Sequence, residues 1–207
     1  LIKPSHVERA LPAPVTVRLD AGRAFGTGGH ATTHGCLVLM QRLGAGPRPR
    51  RVADIGTGSG LLAIAAAKLY SQAHIIASEI DARALEVADY NAQANGVRVH
   101  CVVADGWQHR DLAHGPRFDL ILANLLYRPL LRLSRQMAER LAPGGALILA
   151  GLLSGQEQAL LHRFRSYGLI LEARAGDADW PSLLLRKPCG TSGRFQAFPS
   201  SPSGNAR

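Results

Sequence analysis

The stretch that decides the fold is residues 52–61, which read V-A-D-I-G-T-G-S-G-L. A short apolar run of β type leads into three glycines at alternate positions, and an apolar helical pattern follows them. Glycine adopts positive φ and lets the backbone approach a ligand closely, while the first N–H groups of a helix lack partners within the helix. We therefore predict a strand, a ligand-binding turn and a helix.

The spacing of the glycines separates the ligands that such a turn can bind. A dinucleotide turn, G-x-G-x-x-G, needs its third glycine at position 61, where the sequence has Leu61. A phosphate-binding P-loop needs a Gly-Lys pair, and the chain contains none. Asp54 followed by Gly56, Gly58 and Gly60 is instead the pattern of methyltransferases that use S-adenosylmethionine (SAM). These three glycines are candidate cofactor-binding residues, and a dehydrogenase is disfavoured.

Segments of strand and helix type alternate from residue 51 onward, which predicts βαβ units and a parallel sheet. Strands are predicted at 51–55, 74–78, 98–103, 118–122, 146–150, 169–175 and 182–186, and helices at 61–70, 82–95, 127–141 and 155–167. Asn95-Gly96 is expected to end the second helix, and Pro143-Gly144-Gly145 to break the chain before the fifth strand. The predicted fold class is α/β, with a seven-stranded, mostly parallel sheet and helices on both faces.

Shorter regions flank this unit. We expect residues 1–50 to form an N-terminal extension that packs on the core, with a strand at 15–19 and a helix at 32–43. Residues 51–187 form the expected SAM-binding domain. Residues 188–207 are expected to be a disordered tail, because ten of these twenty residues are Ser, Gly or Pro.

Composition excludes several classes of protein. Of 207 residues 46% are hydrophobic and 19% charged, which is typical of a globular chain and not of a disordered, coiled-coil or collagen-like one. Three cysteines without a C-x-x-C pair support neither a disulfide framework nor a thiolate zinc site. No apolar run approaches the roughly eighteen residues that span a bilayer, so a cytoplasmic protein is expected, and the first residue, Leu1, suggests a cut or processed start. The net charge is +9, but residues 51–187 are nearly balanced, so a nucleic-acid partner is not supported.

Two carboxylates follow predicted strands at the edge where open α/β sheets bind ligands. Glu79 ends the second strand and could accept hydrogen bonds from ribose hydroxyls; the alternative is an exposed charge beside Asp81. An NAD enzyme would use the same position, so Glu79 does not separate the two cofactors. Asp105 follows the third strand and could accept from an adenine amino group, or form the turn before Gly106.

Asn124 follows the fourth predicted strand and is the main catalytic candidate. Its amide oxygen could orient a nucleophilic nitrogen toward a methyl group. The alternative is that Asn124 is the N-cap of the helix that begins near Leu126, a position that asparagine favours. The two roles are compatible.

A second glycine cluster, residues 25–33, reads F-G-T-G-G-H-A-T-T and precedes the first strand of the parallel sheet. Taken alone it would be a flexible loop in which Thr32 or Thr33 caps the next helix. His30 and His34 lack other ligands at metal-binding spacing, so no metal is predicted.

These segments together resemble the PrmA family of bacterial ribosomal protein methyltransferases. The resemblance covers about residues 15–187 and lies in the segments 25–33, 36–37 (C-L), 54–68 (D-I-G-T-G-S-G-L-L-A-I-A-A-A-K), 91–96 (N-A-Q-A-N-G), 123–125 (A-N-L), 143–145 (P-G-G) and 151–156 (G-L-L-S-G-Q). It implies a class I, Rossmann-like methyltransferase fold. It also implies trimethylation of lysine side chains and the N-terminal amine of a protein at the stalk base of the large ribosomal subunit.

Carried over by position, the resemblance implies that Thr33, Gly56, Glu79 and Asn124 contact SAM. The family usually has Asp where this chain has Glu79. Members also carry a separate N-terminal domain that recognises the ribosomal protein, and too few residues precede Val15 to form it here.

For catalysis we expect the incoming amine to be desolvated near Phe25, His30 and Asn124, which lowers its pKa so that water can take the proton; His30 is an alternative base. Two other functions remain open from the sequence. One is a related methyltransferase acting on another protein amine, a small molecule or RNA, and the other is a SAM-binding scaffold without catalysis.

Overall fold

Strands and helices alternate from residue 31 to residue 176 in the computed structural model, which describes residues 2–4, 15–19, 31–43 and 46–189. The elements are β1 (Ile2–Pro4), β2 (Val17–Leu19), α1 (Ala31–Leu43), β3 (Arg51–Ile55), α2 (Leu61–Leu69), β4 (His74–Glu79), α3 (Ala82–Ala94), β5 (His100–Val103), α4 (Arg110–Ala113), β6 (Phe118–Asn124), α5 (Tyr127–Arg140), β7 (Leu141–Ala150), α6 (Glu157–Arg165), β8 (Ile170–Gly176) and β9 (Pro181–Arg186). A 3-10 turn, Ser154–Gln156, precedes α6. Of the tail predicted at 188–207, residues 190–207 lie outside the described residues.

Seven strands form one sheet in the order β5-β4-β3-β6-β7-β9-β8. Neighbours from β5 to β7 are parallel, and β9 is antiparallel to both β7 and β8. The predicted mostly parallel sheet of seven strands is therefore confirmed. The short strands β1 and β2 form a separate parallel pair.

Both faces of the sheet are buried, because residues along each strand alternate between two core clusters. On β3, Val52 packs with helices α1 to α3, while Ala53 and Ile55 pack with α4 to α6. Parallel strands covered on both faces are apolar on both faces, which explains the nearly continuous hydrophobic runs of the sequence. No helix in the described ranges is both long and apolar enough to cross a bilayer.

The main error in the predicted elements concerns residues 143–145. They do not precede the fifth strand of the sheet but lie inside β7, which begins at Leu141. Leu141 and Ala146 pair with β6, and the residues between them form a bulge in β7. Within this bulge the Gly144 N–H donates to the Lys187 carbonyl at 2.8 Å. The Pro-Gly-Gly segment therefore interrupts the ladder without ending the strand.

Other boundaries agree closely with the predictions. Asn95 is the C-cap of α3 and Gly96 has φ +65°, so the predicted helix end is confirmed. The single-turn helix α4 was not predicted, because four residues carry no periodic signal. Helix α1 packs on β7, β8 and β9, where a Cβ on Gly35 would collide with Ser182 Oγ.

Candidate active site

The candidate residues lie along one edge of the sheet. β3, β4 and β6 are neighbouring parallel strands, and their carboxyl ends are followed or occupied by the glycine turn, Glu79 and Asn124. Asp105 follows β5 at the same edge. Ligands of open α/β sheets bind in this position, outside the carboxyl ends of the strands.

The glycine turn has the backbone that its sequence predicts. Gly56, Gly58 and Gly60 have φ values of +72°, +56° and +85°. Gly56 N–H donates to the Ser78 carbonyl at 2.8 Å, which ties the turn to the end of β4. At Gly60 a Cβ would lie 3.0 Å from Ala88 Cβ, so this glycine lets α3 pack on the turn.

Asp54 supports the turn from below, a role that the sequence analysis did not assign. It is 1% exposed, and its Oδ2 accepts from Thr57 Oγ1 at 2.6 Å and from Ala63 N–H at 3.0 Å. Burial raises its pKa to about 6; the hydrogen bonds from Thr57 and Ala63 oppose the shift, and the charge of Glu79 adds to it. In the local sequence, the one sign of this hydrogen bond is Thr57, whose hydroxyl follows Asp54 by three residues.

Glu79 holds the turn from the side. Its Oε2 accepts from Gly58 N–H at 3.0 Å, and its Oε1 accepts from the N–H groups of Ile80 at 2.8 Å and Asp81 at 3.3 Å. The alternative of a merely solvated charge is therefore wrong. A carboxylate has about four acceptor positions, so three backbone donors leave about one, on Oε2, for a ligand hydroxyl.

Asp105 is engaged by a residue that the sequence analysis missed. Arg132, on α5, donates to both carboxylate oxygens, at 2.9 and 2.5 Å. This hydrogen bonding lowers the pKa of Asp105. The Asp105 carbonyl also accepts from Gln108 N–H at 3.3 Å, so the predicted turn is present as well. No local pattern connects two residues 27 positions apart.

The Asn124 side chain turns toward α1. Its Nδ2 donates to Thr33 Oγ1 at 3.5 Å, and Thr33 is 3% exposed. Helix α5 begins at Tyr127 with Leu126 as its N-cap, so the helix-cap role for Asn124 is wrong. Thr32 and Thr33 lie inside the first turn of α1, which begins at Ala31, and not at its N-cap.

Gly151 brings the Asn124 segment close to the end of β7. It has φ +85°, and a Cβ there would lie 3.1 Å from Asn124 Oδ1 and collide with the Leu125 carbonyl. Leu125 in turn packs its side chain against Gly56, where a Cβ would also collide with it. The glycine turn and the Asn124 segment are therefore in direct contact.

Two catalytic candidates, Phe25 and His30, lie outside the described residues. Over residues 31–43 and 46–189, together with the shorter described segments, no group of three His, Cys, Asp or Glu side chains is placed to hold a metal ion.

Curated bacterial proteins are similar in sequence to this chain. The chain is 43% identical over 182 residues to a ribosomal protein L11 methyltransferase of Bradyrhizobium diazoefficiens. The aligned region covers 87% of this chain and 61% of the relative. It is 44% identical to the protein of the same name from Rhodopseudomonas palustris, covering 88% of this chain and 63% of that one. The chain thus spans less than two thirds of the curated relatives that it matches.

Solved structures show the same fold. A ribosomal protein L11 methylase from Lactobacillus delbrueckii subsp. bulgaricus superposes with a TM-score of 0.77 at 31% identity, covering 90% of this chain and 94% of that one. At 22% identity, the Thermus thermophilus 16S rRNA N2 G1207 methyltransferase (RsmC), solved with AdoMet and guanosine, superposes with a TM-score of 0.64, covering 79% of this chain and 45% of that one. The fold is that of class I SAM-dependent methyltransferases. The family model described as ribosomal protein L11 methyltransferase (PrmA) matches residues 1–188, and the chain belongs to this PrmA family.

Proposed function

We propose that this chain transfers methyl groups from SAM to amino groups of ribosomal protein L11, on lysine side chains or the N-terminal amine. The observation that carries the proposal is the meeting of the glycine turn, Glu79 and Asn124 at one sheet edge in a member of the PrmA family. The turn and Glu79 supply cofactor contacts, and Asn124 supplies an amide for the acceptor.

The described residues fit SAM as the cofactor. The positive φ values of Gly56 and Gly58 shape the turn, and the remaining acceptor position on Glu79 Oε2 suits a ribose hydroxyl. Asp105 can accept from an adenine amino group while it keeps its pair with Arg132. When bound, SAM supplies a methyl group on a positively charged sulfur.

Asn124 is the residue that orients the acceptor. Its Nδ2 is held by Thr33, a positioning residue, so its Oδ1 is the group left to accept from an amine N–H. That hydrogen bond would direct the nitrogen lone pair and fix its distance from the methyl group. The amine must be neutral to react, and desolvation of the amine beside Asn124 would lower its pKa so that water takes the proton.

Calorimetry with S-adenosylhomocysteine and with NAD⁺ tests the cofactor. We expect the first to bind and the second to give no heat. Glu79→Gln should weaken binding about ten- to a hundredfold, because a charged acceptor shared by the turn and the ribose is lost. Glu86→Gln, which removes an exposed carboxylate on α3, is the matched control and should leave the affinity unchanged. Heat with NAD⁺ alone would contradict the proposal.

Asn124→Ala tests catalysis apart from cofactor binding. We expect turnover to fall at least tenfold with little change in affinity for S-adenosylhomocysteine, because the amide acts on the acceptor. A lowered melting temperature with unchanged turnover per folded molecule would show a purely structural role.

The acceptor needs its own experiment. The protein is incubated with radiolabelled SAM and purified L11, and separately with an extract from a methyltransferase-null strain. Label in L11 is expected. Label only in another protein, a small molecule or RNA would assign a different acceptor, and cofactor binding without any label would favour the scaffold.

A further inference from the structure

A recess of about 570 Å³ opens at the opposite edge of the sheet, where β3, β4 and β5 begin. Its position separates it from the candidate active site at the carboxyl ends of the same strands. Most of the side chains that line it are those of arginine or histidine. The lining residues are Arg51, His74, Ile76, His100, Arg110, Asp111, His114 and Gly115.

The sheet brings three of these side chains together. Arg51, His74 and His100 are the first residues of three adjacent parallel strands. Residues two apart on a strand lie on the same face of the sheet. The residues two positions further along each strand are Ala53, Ile76 and Val102, and all of them pack on the face covered by α4 to α6. The three first residues therefore share that face. The turn of α4 then adds Arg110 beside them.

Negative charge in the recess is scarce and already engaged. Among the described residues that line the recess, Asp111 is the one acid, and it contacts His100 Nε2 at 2.8 Å and Arg110 Nε at 3.2 Å. Nearby, Asp119 Oδ2 accepts from the backbone N–H groups of Arg50 at 2.8 Å and Arg51 at 3.0 Å.

The Arg51 side chain carries a buried donor, its Nε–H, without a hydrogen-bond acceptor among the described residues. Its guanidinium carbon lies 5.2 Å from the Phe118 ring centroid. The pKa of His74 is lowered by burial and then by Arg51 and His100, with Asp111 opposing. The pKa of Arg140, beside the recess, is lowered by burial and then by Arg51 and Arg117. The part of each shift that comes from neighbouring cations agrees with a surplus of positive charge.

We propose that this recess binds a small phosphate-bearing ligand, with Arg51, His74, Arg110 and His114 as its donors. Guanidinium and imidazole N–H groups match phosphate oxygens, and charge-assisted hydrogen bonds of this kind are among the stronger ones. The volume lies in the range of small-molecule sites. A concave recess suits a terminal phosphate group better than a phosphodiester backbone, which follows an exposed surface.

Calorimetry with inorganic phosphate, ribose 5-phosphate and ribose at constant ionic strength tests the proposal on the full chain. Both phosphate compounds should bind saturably and ribose should not. Binding should be unchanged when S-adenosylhomocysteine is present at saturation. Loss of binding under that condition would place the phosphate in the candidate active site and overturn the proposal, whether or not the proposed function holds.

Variants locate the site. Arg110→Gln and His74→Gln should each weaken phosphate binding about tenfold, since each removes a charged or polar donor. The matched controls Arg165→Gln and His162→Gln, on exposed positions of α6, should not. Equal losses in variants and controls would indicate general attraction of anions and would overturn the site.

Two further measurements keep the proposal testable if a variant fails to fold. In the unmodified protein, the imidazole NMR signals of His74 and His114 should shift on phosphate titration with the dissociation constant found by calorimetry, and unshifted signals would overturn the proposal. A short RNA that binds more tightly than ribose 5-phosphate and depends on Arg110 would also overturn it, in favour of a polyanion surface.

Discussion

Replacing Asp54 by Asn should stabilise the protein near pH 7 and change its stability little near pH 4. Asp54 is buried, and both of its hydrogen bonds, from Thr57 Oγ1 and Ala63 N–H, fall on Oδ2. The amide oxygen of Asn can accept both. The substitution therefore removes a buried charge and keeps the contacts that join the glycine turn to α2.

The magnitude follows from the pKa. Burial raises the pKa of Asp54 from 3.8 to about 6. Between these values the folded protein keeps a proton that the unfolded chain has lost, so the free energy of unfolding falls as the pH rises through this window. Two pKa units correspond to about 3 kcal/mol. The gain from Asp54→Asn should thus grow from near zero at pH 4 to at most about 3 kcal/mol at pH 7.

Urea unfolding of the ligand-free protein at pH 4, 5, 6, 7 and 8 measures this gain. Subtracting the wild-type free energy of unfolding from that of the variant at each pH removes the contribution of all other titrating groups. Asp179→Asn, at an exposed position, is the matched control and should give a flat difference. A difference for Asp54→Asn that does not vary with pH, or a variant less stable at pH 7 than wild type, would refute the reasoning.

Two further predictions concern packing. Gly60→Ala should destabilise the protein by at least about 1 kcal/mol more than Gly96→Ala; both glycines have positive φ, but a Cβ would lie 3.0 Å from its nearest neighbour at Gly60 and would meet nothing within 4 Å at Gly96. Urea unfolding measures both, and equal losses would contradict the close packing of the turn on α3. A thiol reagent at pH 7.5 should label Cys189, which is exposed, much faster than Cys101, which is partly buried, and should reach the buried Cys36 only after unfolding. Burial raises the pKa of the Cys36 thiol and raises that of Cys101 to about 11, so fast labelling of all three in the folded protein would be inconsistent with this core.

Local sequence determined the central element of the fold. The strand at 51–55 and the helix start at Leu61 were predicted at the residues where the structure has them, because an apolar run, three glycines and a helical pattern are each signals within a few residues. Glu79 and Asn124 were predicted next to the ends of strands at 74–78 and 118–122, and they are the last residues of β4 and β6; parallel strands place such ends at one edge. Residues 143–145 show the limit of such signals: the Pro-Gly-Gly segment was predicted to break the chain before the strand, but it lies inside β7, where its backbone bonds to residue 187.

Tertiary structure alone decided which side chains meet. Asn124 reaches Thr33 across 91 positions, and Arg132 reaches Asp105 across 27. The cationic recess likewise joins the first residues of three strands to the turn of α4, although no segment of the sequence is a basic cluster. Such contacts depend on the order of strands in the sheet and on which face each residue occupies. No local propensity encodes that order, because it is the packing of the whole core that selects it.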